Sequence, residues 1–201
     1  MTYASKVRFL SEHERRNLRM ETDRLILKAL AAGDITQEYI SGLNDPGVNH
    51  YLLEVKQRWQ TYESVKSFVE ENIRSSSNIL FGIFLKSSPP HLIGTVRLTA
   101  ISLFHYSSGI GICIFSKPHW RKGYALEALL KVKEFIFDTM GMHYIEAGMY
   151  SENKPSVKLF QRAGFECYVR IPDKYRLGDR FVDVSMFKAV NPDFNHKSLE
   201  E

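Results

Sequence analysis

The sequence predicts an α+β domain in which helices pack on a central, mostly antiparallel sheet. Residues 110–115 form an apolar, β-branched run that is too short for a helix and is typical of a strand buried on both faces. Residues 94–100 alternate between apolar and polar side chains, as in a half-exposed antiparallel strand. Residues 125–136 instead repeat at helical spacing, which predicts an amphipathic helix with a Glu127–Lys131 pair on its outer face.

Two strands and two helices are predicted before the strand at residues 94–100. Residues 22–28 form the first strand, and Asp34 is a candidate N-cap for the helix that follows. The segment 44–47, Asn-Asp-Pro-Gly, ends that helix. Thr61 can cap the next helix, and residues 79–85 form the second strand.

Two strand segments and a short helix are predicted to close the domain. Gly141 ends the long amphipathic helix, and residues 143–150 form a strand. Residues 156–163 form a short helix. The chain then returns in a pair of strands at residues 165–171 and 181–187.

The 201 residues suffice for one domain with a substantial core. We assign the domain to residues 21–190. Residues 1–20 are a charged N-terminal extension, and residues 191–201 are a polar C-terminal tail. No internal repeat divides the chain.

Charge and cysteine content limit the partners and the location of the protein. The net charge of +4 suits an anionic ligand but is small for a dedicated nucleic-acid binder, so we expect no nucleic-acid partner. No apolar run of about 18 residues is present, so we expect no membrane partner. Two cysteines without metal-like spacing favour a reduced, cytoplasmic protein.

The start of the long helix is a candidate anion site. Arg121, Lys122, Gly123, Tyr124 and Ala125 combine two cations with a glycine at the first turn, where free backbone N–H groups favour a phosphate. A solvated basic helix start with a turn glycine explains the same residues equally well. A nucleoside-triphosphate loop does not fit, because its Gly-x-x-x-x-Gly-Lys-Ser/Thr spacing is missing.

Two segments together resemble the GNAT-type N-acetyltransferases, and in particular their Rim-type branch. Residues 120–125, followed by Glu127, are similar to the Trp-x-x-Gly-Tyr-Ala-x-Glu-Ala segment of that branch. Residues 153–165 resemble its Asn-x-x-Ser-x-x-Leu-Phe-x-x-x-Gly-Phe segment. The resemblance extends over residues 22–190. It implies a mixed, mostly antiparallel sheet of about six to seven strands that splays at the cofactor strand, with about four flanking helices.

The resemblance also implies acetyl-CoA as the co-substrate, without a metal. In the family, the turn at the helix start holds the diphosphate, and the splayed strand pairs with the pantetheine arm. Gly111 is where we expect a bulge that opens this strand. An Asx turn is an alternative role for the Asn of the second segment. The implied cofactor-binding residues are Ile112, Cys113, Ile114, Arg121, Lys122, Gly123, Tyr124, Ala125, Asn153 and Ser156.

The group that meets the leaving thiolate is Ser156 by this resemblance. Many GNAT enzymes have a tyrosine where this chain has Phe160, which cannot donate a proton. Rim-type enzymes have a serine at the position of Ser156. A thiolate, with a thiol pKa of about 8.5, needs only a hydrogen bond. Ser156 as the N-cap of its helix is an equal alternative.

The general base has several candidates. Glu146, on the strand beside the cofactor strand, and Glu54, in a loop that lies over the acceptor site in the family, are ranked level. His50 and His105 compete with them. A base with a near-neutral pKa requires burial that a sequence does not reveal.

The predicted activity is transfer of an acetyl group to a primary amine by direct attack in a ternary complex. The acceptor is a small-molecule amine, an amino sugar or a protein N-terminus. Cys113 in a buried strand is more simply a core residue than an acyl carrier. A non-catalytic acyl-CoA-binding or regulatory module of the same fold is the alternative. The assembly state is open, with a homodimer as one candidate.

Overall fold

The computed structural model describes residues 10–52 and 55–194. A π-helical turn, Phe135–Thr139, continues the long helix α5. In chain order the elements are α1 (Glu12–Arg16), β1 (Arg19–Glu21), β2 (Leu25–Ala29), α2 (Gln37–Asn44), α3 (Pro46–Asn49), α4 (Tyr62–Arg74), β3 (Ile79–Leu85), β4 (His91–Ser102), β5 (Ser107–Ile114), α5 (Tyr124–Glu134), β6 (Tyr144–Tyr150), α6 (Lys154–Arg162), β7 (Glu166–Leu177) and β8 (Arg180–Val190).

The strands form one eight-stranded sheet in the order β1-β2-β3-β4-β5-β6-β8-β7. All neighbours are antiparallel except β5 and β6, which run parallel. The predicted mixed, mostly antiparallel sheet with four main helices is therefore confirmed, and β1 adds one strand to the predicted number. Helix α1 and the first two residues of β1 lie in the segment 1–20 that was expected to be a charged extension. The domain boundaries themselves stay a prediction.

The sheet splays between its two parallel strands. Strands β5 and β6 pair only where Ser107, Ser108 and Gly109 face Tyr144–Glu146. The rest of β5 pairs with β4 alone, in continuous register through Gly111. The expected bulge at Gly111 is therefore wrong, because the strands part by diverging after three pairs. The expectation that β5 is buried on both faces is also wrong, since Gly111 is exposed in the gap.

Each face of the sheet carries its own apolar cluster. Helices α5 and α6 cover one face, where Leu129, Val132 and Ile136 are fully buried and confirm the predicted helix stripe. Helices α2 and α4 cover the other face through residues such as Tyr39 and Val69. Burial of each such side chain contributes roughly 1.5–3 kcal/mol before entropy costs. The two layers hold the splayed strands from both sides.

Two details of the helices differ from the predictions. Thr36, and not Asp34, caps α2, because Asp34 instead forms an ion pair with Lys28 at 2.7 Å. Glu127 does not pair with Lys131. It pairs instead with Arg24, the residue that precedes β2. Thr61 caps α4 as predicted, accepting a hydrogen bond from the backbone of Ser64. Across the described ranges, we find no helix with the length and apolar character needed to cross a membrane.

Candidate active site

The gap between β5 and β6 opens into a cavity of about 340 Å³. Its lining combines Phe160 from the cluster under α5 and α6 with Tyr39 and Val65 from the cluster under α2 and α4. The cavity therefore reaches residues from both faces of the sheet. Among the predicted cofactor-binding residues, it brings together Ile112, Cys113, Asn153 and Ser156.

The turn before α5 has the backbone shape of an anion cradle. Arg121 and Gly123 have φ values of 60° and 85°, and Gly123 is the N-cap of α5 without a side-chain cap. The first N–H groups of the helix therefore lack intrahelical acceptors. The side chains of Arg121 and Lys122 are exposed and form no ion pair with any described residue. An anion bound here would meet both the helix dipole and two cations.

The turn is joined to the end of β5. Trp120 Nε1 donates a hydrogen bond to the carbonyl oxygen of Ile114 at 2.7 Å. Ile114 and the turn residues, including Tyr124 and Ala125, lie outside the lining of the cavity. A ligand that uses both regions must therefore be long, extending from the helix start along β5.

Arg24 secures the turn, and sequence reasoning missed this role. Its Nη1 donates to the carbonyl oxygen of Lys122 at 3.0 Å, and its Nη2 lies 2.5 Å from Oε2 of Glu127. The guanidinium carbon also lies 4.6 Å from the ring centroid of Tyr124. Burial raises the pKa of Glu127, but hydrogen bonds from Thr22 and Arg24 outweigh it and hold this pKa below its usual value. The ionised carboxylate therefore keeps Arg24 against the turn.

Asn153 and Ser156 have different positions at the start of α6: Asn153 caps the helix, and Ser156 lines the cavity. Asn153 Oδ1 accepts a hydrogen bond from the backbone N–H of Ser156 at 3.3 Å and is the N-cap of α6. Ser156 is therefore not the cap. Within the described residues its hydroxyl has no hydrogen-bond partner, and Ser156 lines the cavity. The hydroxyl is available to a ligand there.

Two further residues of the lining, Phe160 and Cys113, provide neither a polar side chain nor a reactive thiolate. Phe160 is 3% exposed, and its ring packs 5.0 Å from Phe165 and 6.4 Å from Phe187 between centroids. Burial raises the pKa of the Cys113 thiol to about 12. Cys113 is therefore a neutral thiol at physiological pH and a poor nucleophile.

The predicted base residues lie in different places. Glu146 is absent from the cavity lining, although Gly148, two positions along the same face of β6, is part of it. The carboxylate of Glu146 accepts a hydrogen bond from the hydroxyl of Tyr168, and this bond raises the pKa of Tyr168. Glu54 lies outside the described residues. His50 and His105 are exposed and do not line the cavity.

One part of the cavity lining is aromatic and basic. Tyr150 is buried, with its ring centroid 5.4 Å from Tyr51 and 5.9 Å from Tyr175, and burial raises its pKa. Arg58 and Arg97 are the charged residues of the described lining. These residues come from separate elements, so no local sequence pattern marked them. We call this part of the lining the acceptor side.

One group of side chains in the described ranges has the composition of a metal site. Glu38, His91 and His119 offer ligand atoms within 4.8 Å of one another. Tetrahedral zinc, with bonds of about 2.0–2.1 Å to nitrogen, holds its ligand atoms closer than this. His91 Nε2 already lies 3.1 Å from Glu38 Oε2, and His119 Nδ1 lies 2.7 Å from the hydroxyl of Ser116. In the structure the group is a contact between His91 and Glu38 with a second histidine nearby.

Comparison with known protein families identifies the fold. The family model described as Acetyltransferase (GNAT) domain matches residues 24–166. An uncharacterized N-acetyltransferase of Bacillus subtilis, YoaA, is 29% identical over 147 residues, which is 73% of this chain and 82% of YoaA. An uncharacterized N-acetyltransferase of Bacillus licheniformis, p20, is 27% identical over 86% of this chain and 96% of its own length.

Solved structures with low sequence identity share the same fold. Spermidine N-acetyltransferase from Vibrio cholerae, in complex with CoA and spermine, superposes with a TM-score of 0.75 at 21% identity, covering 86% of this chain and 99% of that one. RimL, a ribosomal L7/L12 α-N-protein acetyltransferase in complex with CoA, gives a TM-score of 0.76 at 14% identity, covering 86% and 98%.

Proposed function

The chain belongs to the GNAT family of N-acetyltransferases, and we propose that it transfers the acetyl group of acetyl-CoA to a primary amine by direct attack in a ternary complex. The observation that carries this proposal is the junction of a splayed strand with an uncapped helix start. Strand β5 loses its β6 partner after Gly109, and the Gly123 turn follows at the end of the same strand. An elongated thioester with a diphosphate at one end suits both features.

In this proposal the two ends of acetyl-CoA are held differently. The diphosphate lies at residues 121–125, where N–H groups, the helix dipole and two cations favour it. The pantetheine arm pairs with the backbone of residues 112–114, as a peptide adds to an open strand edge. Asn153, whose amide nitrogen has no partner among the described residues, donates to the same arm. RimL and the Vibrio spermidine enzyme both bind CoA, which supports this choice of co-substrate.

The chemical step needs only proton transfers and hydrogen bonds. The neutral amine nitrogen attacks the thioester carbonyl carbon, an amide C–N bond forms, and the C–S bond breaks to release CoA thiolate. The hydroxyl of Ser156 donates a hydrogen bond to that thiolate. A carboxylate takes the proton of the amine: either Glu54, or Glu146 acting through water from outside the cavity lining. No metal takes part in the proposed step, and the two free cysteines suit a reduced cytoplasmic setting.

Acetyl-CoA turnover with a panel of primary amines tests this function, with release of free CoA thiol as the measurement. The Ser156→Ala variant should lower kcat about tenfold while the KM for acetyl-CoA stays within twofold, as expected when one hydrogen bond of about 1.4 kcal/mol is lost only in the transition state. Ser67→Ala is the matched control, because Ser67 is exposed on α4 and bonds only to Glu71. Absence of turnover with every amine would leave a binding module as the function. Full activity of Ser156→Ala would remove that residue from the mechanism.

A further inference from the structure

We infer that the acceptor is a small primary amine that also carries an anionic group, a carboxylate or a phosphate, which Arg97 and Arg58 bind. This inference rests on the proposed function and adds the substrate class to it. It starts from Arg97, a β4 residue whose side chain reaches the acceptor side of the cavity.

Arg97 is held in a fixed orientation by a buried side chain. Its Nε donates to Oδ1 of Asn72 at 2.8 Å, and Asn72 is only 4% exposed. Asn72 Nδ2 in turn donates to the carbonyl oxygen of Phe68 at 2.8 Å, so the amide cannot turn without losing a bond. The Arg97 guanidinium carbon also lies 5.0 Å from the ring centroid of Phe68. This arrangement orients the guanidinium plane.

The rest of the Arg97 fork is free to bind a ligand. Within the described residues, neither terminal nitrogen of Arg97 has a hydrogen-bond partner, and no carboxylate pairs with Arg97. A guanidinium donates five hydrogen bonds in a geometry that matches a carboxylate or a phosphate. A partly buried guanidinium without a counter-ion is unfavourable. A bound anion would supply both the charge and the acceptor atoms.

The charge of the cavity wall favours an anionic acceptor over a polycationic one. Arg58, which is exposed, is the second charged residue of the described lining, and its side chain also has no ion-pair partner there. The described lining contains no aspartate or glutamate. These two arginines would repel a polyamine and attract an anion.

The position of Arg97 indicates that the anion lies close to the reacting amine. Arg97 is the register partner of Gly111, in the part of β5 that has no β6 neighbour and that directly precedes residues 112–114, the proposed partners of the pantetheine arm. No heavy atom lies within 4 Å of the place a Gly111 side chain would occupy, so this space is open to a ligand. A single small molecule that carries both an amine and an anion fits this spacing. The rings of Tyr51 and Tyr150 can pack against its body.

Matched pairs of amines test this inference. One pair is phenylalanine and phenylalaninamide, and the other is glucosamine 6-phosphate and glucosamine, so that the two pairs separate a carboxylate from a phosphate. In at least one pair, the anionic member should have a kcat/KM at least tenfold higher with the wild-type protein. Arg97→Gln should reduce that ratio to near one and leave the KM for acetyl-CoA within twofold. Arg97→Lys, which keeps the charge without the fork, should restore part of it.

Two controls separate binding from folding. Arg58→Gln changes an exposed side chain and should lower the ratio in a protein of unchanged melting temperature. Arg74→Gln, at the exposed end of α4, should leave the ratio unchanged. A wild-type protein that prefers the neutral member of both pairs, or spermidine, would overturn this inference while the acetyltransferase function stands. An Arg97→Gln variant that loses affinity for acetyl-CoA instead would assign Arg97 to the cofactor and also overturn it.

Discussion

The turn before α5 and the acceptor side of the cavity are built in different ways. The turn is a continuous segment of six residues, 120–125, whose shape follows from the positive φ of Arg121 and Gly123. The acceptor side combines side chains from β4, β6, β7 and the loops around α3. Arg97, its central cation, depends on Asn72, which lies on α4.

The turn binds a group that is the same in every reaction of acetyl-CoA. The acceptor side binds the amine, which differs from one substrate to another. A diphosphate is bound mainly by backbone N–H groups and a helix dipole, which a short local pattern can provide. An acceptor is recognised by side chains whose positions depend on the packing of several elements. Changes at the turn should therefore affect every acceptor alike, whereas changes on the acceptor side should affect some acceptors and not others.

The largest expected effect follows from placing a negative charge in the turn. Gly123→Asp should raise the KM for acetyl-CoA about 100-fold, equivalent to roughly 2.7 kcal/mol, because the carboxylate repels the diphosphate and competes for its N–H donors. Steady-state kinetics with two different amines should give the same factor for both. An unchanged KM for acetyl-CoA would contradict the cradle.

Strain at a positive φ needs its own control. Gly178 has a φ of 68° and no heavy atom near its missing side chain, so Gly178→Asp introduces similar strain far from the turn. We expect both aspartate variants to lose stability by about 1–2 kcal/mol, and only Gly123→Asp to lose affinity for acetyl-CoA.

A smaller effect is expected from the support beneath the turn. Glu127→Gln weakens the contact with Arg24, which also donates to the carbonyl of Lys122, so the KM for acetyl-CoA should rise about fivefold. Replacement of Glu134 by Gln is the control, since Glu134 pairs with Lys131 on the outer face of α5. Equal effects of the two substitutions would show that the Arg24–Glu127 pair does not support the turn.

The same pair predicts a pH dependence of stability. The pKa of Glu127 in the folded protein lies below its usual value of 4.5. Its ionised form therefore stabilises the fold above the unfolded-state pKa, and this contribution is lost as the pH falls through the folded-state pKa. The stability difference between wild type and Glu127→Gln should be constant near pH 7 and shrink below about pH 4.5. Urea unfolding at a series of pH values measures it, and a difference that grows on acidification would contradict the assignment.

The smallest expected effect is a difference between the labelling rates of the two cysteines. Cys167 is exposed and should react with a thiol reagent at pH 8, whereas Cys113, whose pKa burial raises to about 12, should react much more slowly. Saturating CoA should protect Cys113 further and leave Cys167 unaffected. Mass spectrometry of the labelled peptides distinguishes the sites. Equal labelling rates would show that the cavity around Cys113 is more open than described.

The sequence allowed prediction of what depends on neighbouring residues. The period of residues 125–136 indicated the buried stripe of α5, and a glycine at 123 indicated a position that tolerates positive φ. Pairs distant in the chain were not predictable in the same way. Arg24 and Glu127 are 103 residues apart, and each belongs to a segment that resembles the family, yet only the register of β2 brings them together.

The wrong predictions also concern features that depend on residues distant in the chain. A bulge at Gly111 is a reasonable way to open a strand, but the sheet opens by divergence from β6, which depends on the packing of the helices on both faces. The sequence offered Ser156 as the cap of α6 and an Asx turn at Asn153, and only the backbone path before Pro155 made Asn153 the cap. The orientation of Arg97 through Asn72 has no sequence signal, because the two residues lie on different elements.

Two dissociation constants test most directly whether the turn binds the diphosphate of acetyl-CoA while the open strand binds its pantetheine arm. Calorimetry would compare acetyl-CoA with S-acetylpantetheine, which lacks the diphosphate, for wild type and Gly123→Asp. We predict that Gly123→Asp weakens acetyl-CoA binding about 100-fold and leaves S-acetylpantetheine binding within twofold of wild type. Equal losses for both ligands, or no loss for either, would contradict it.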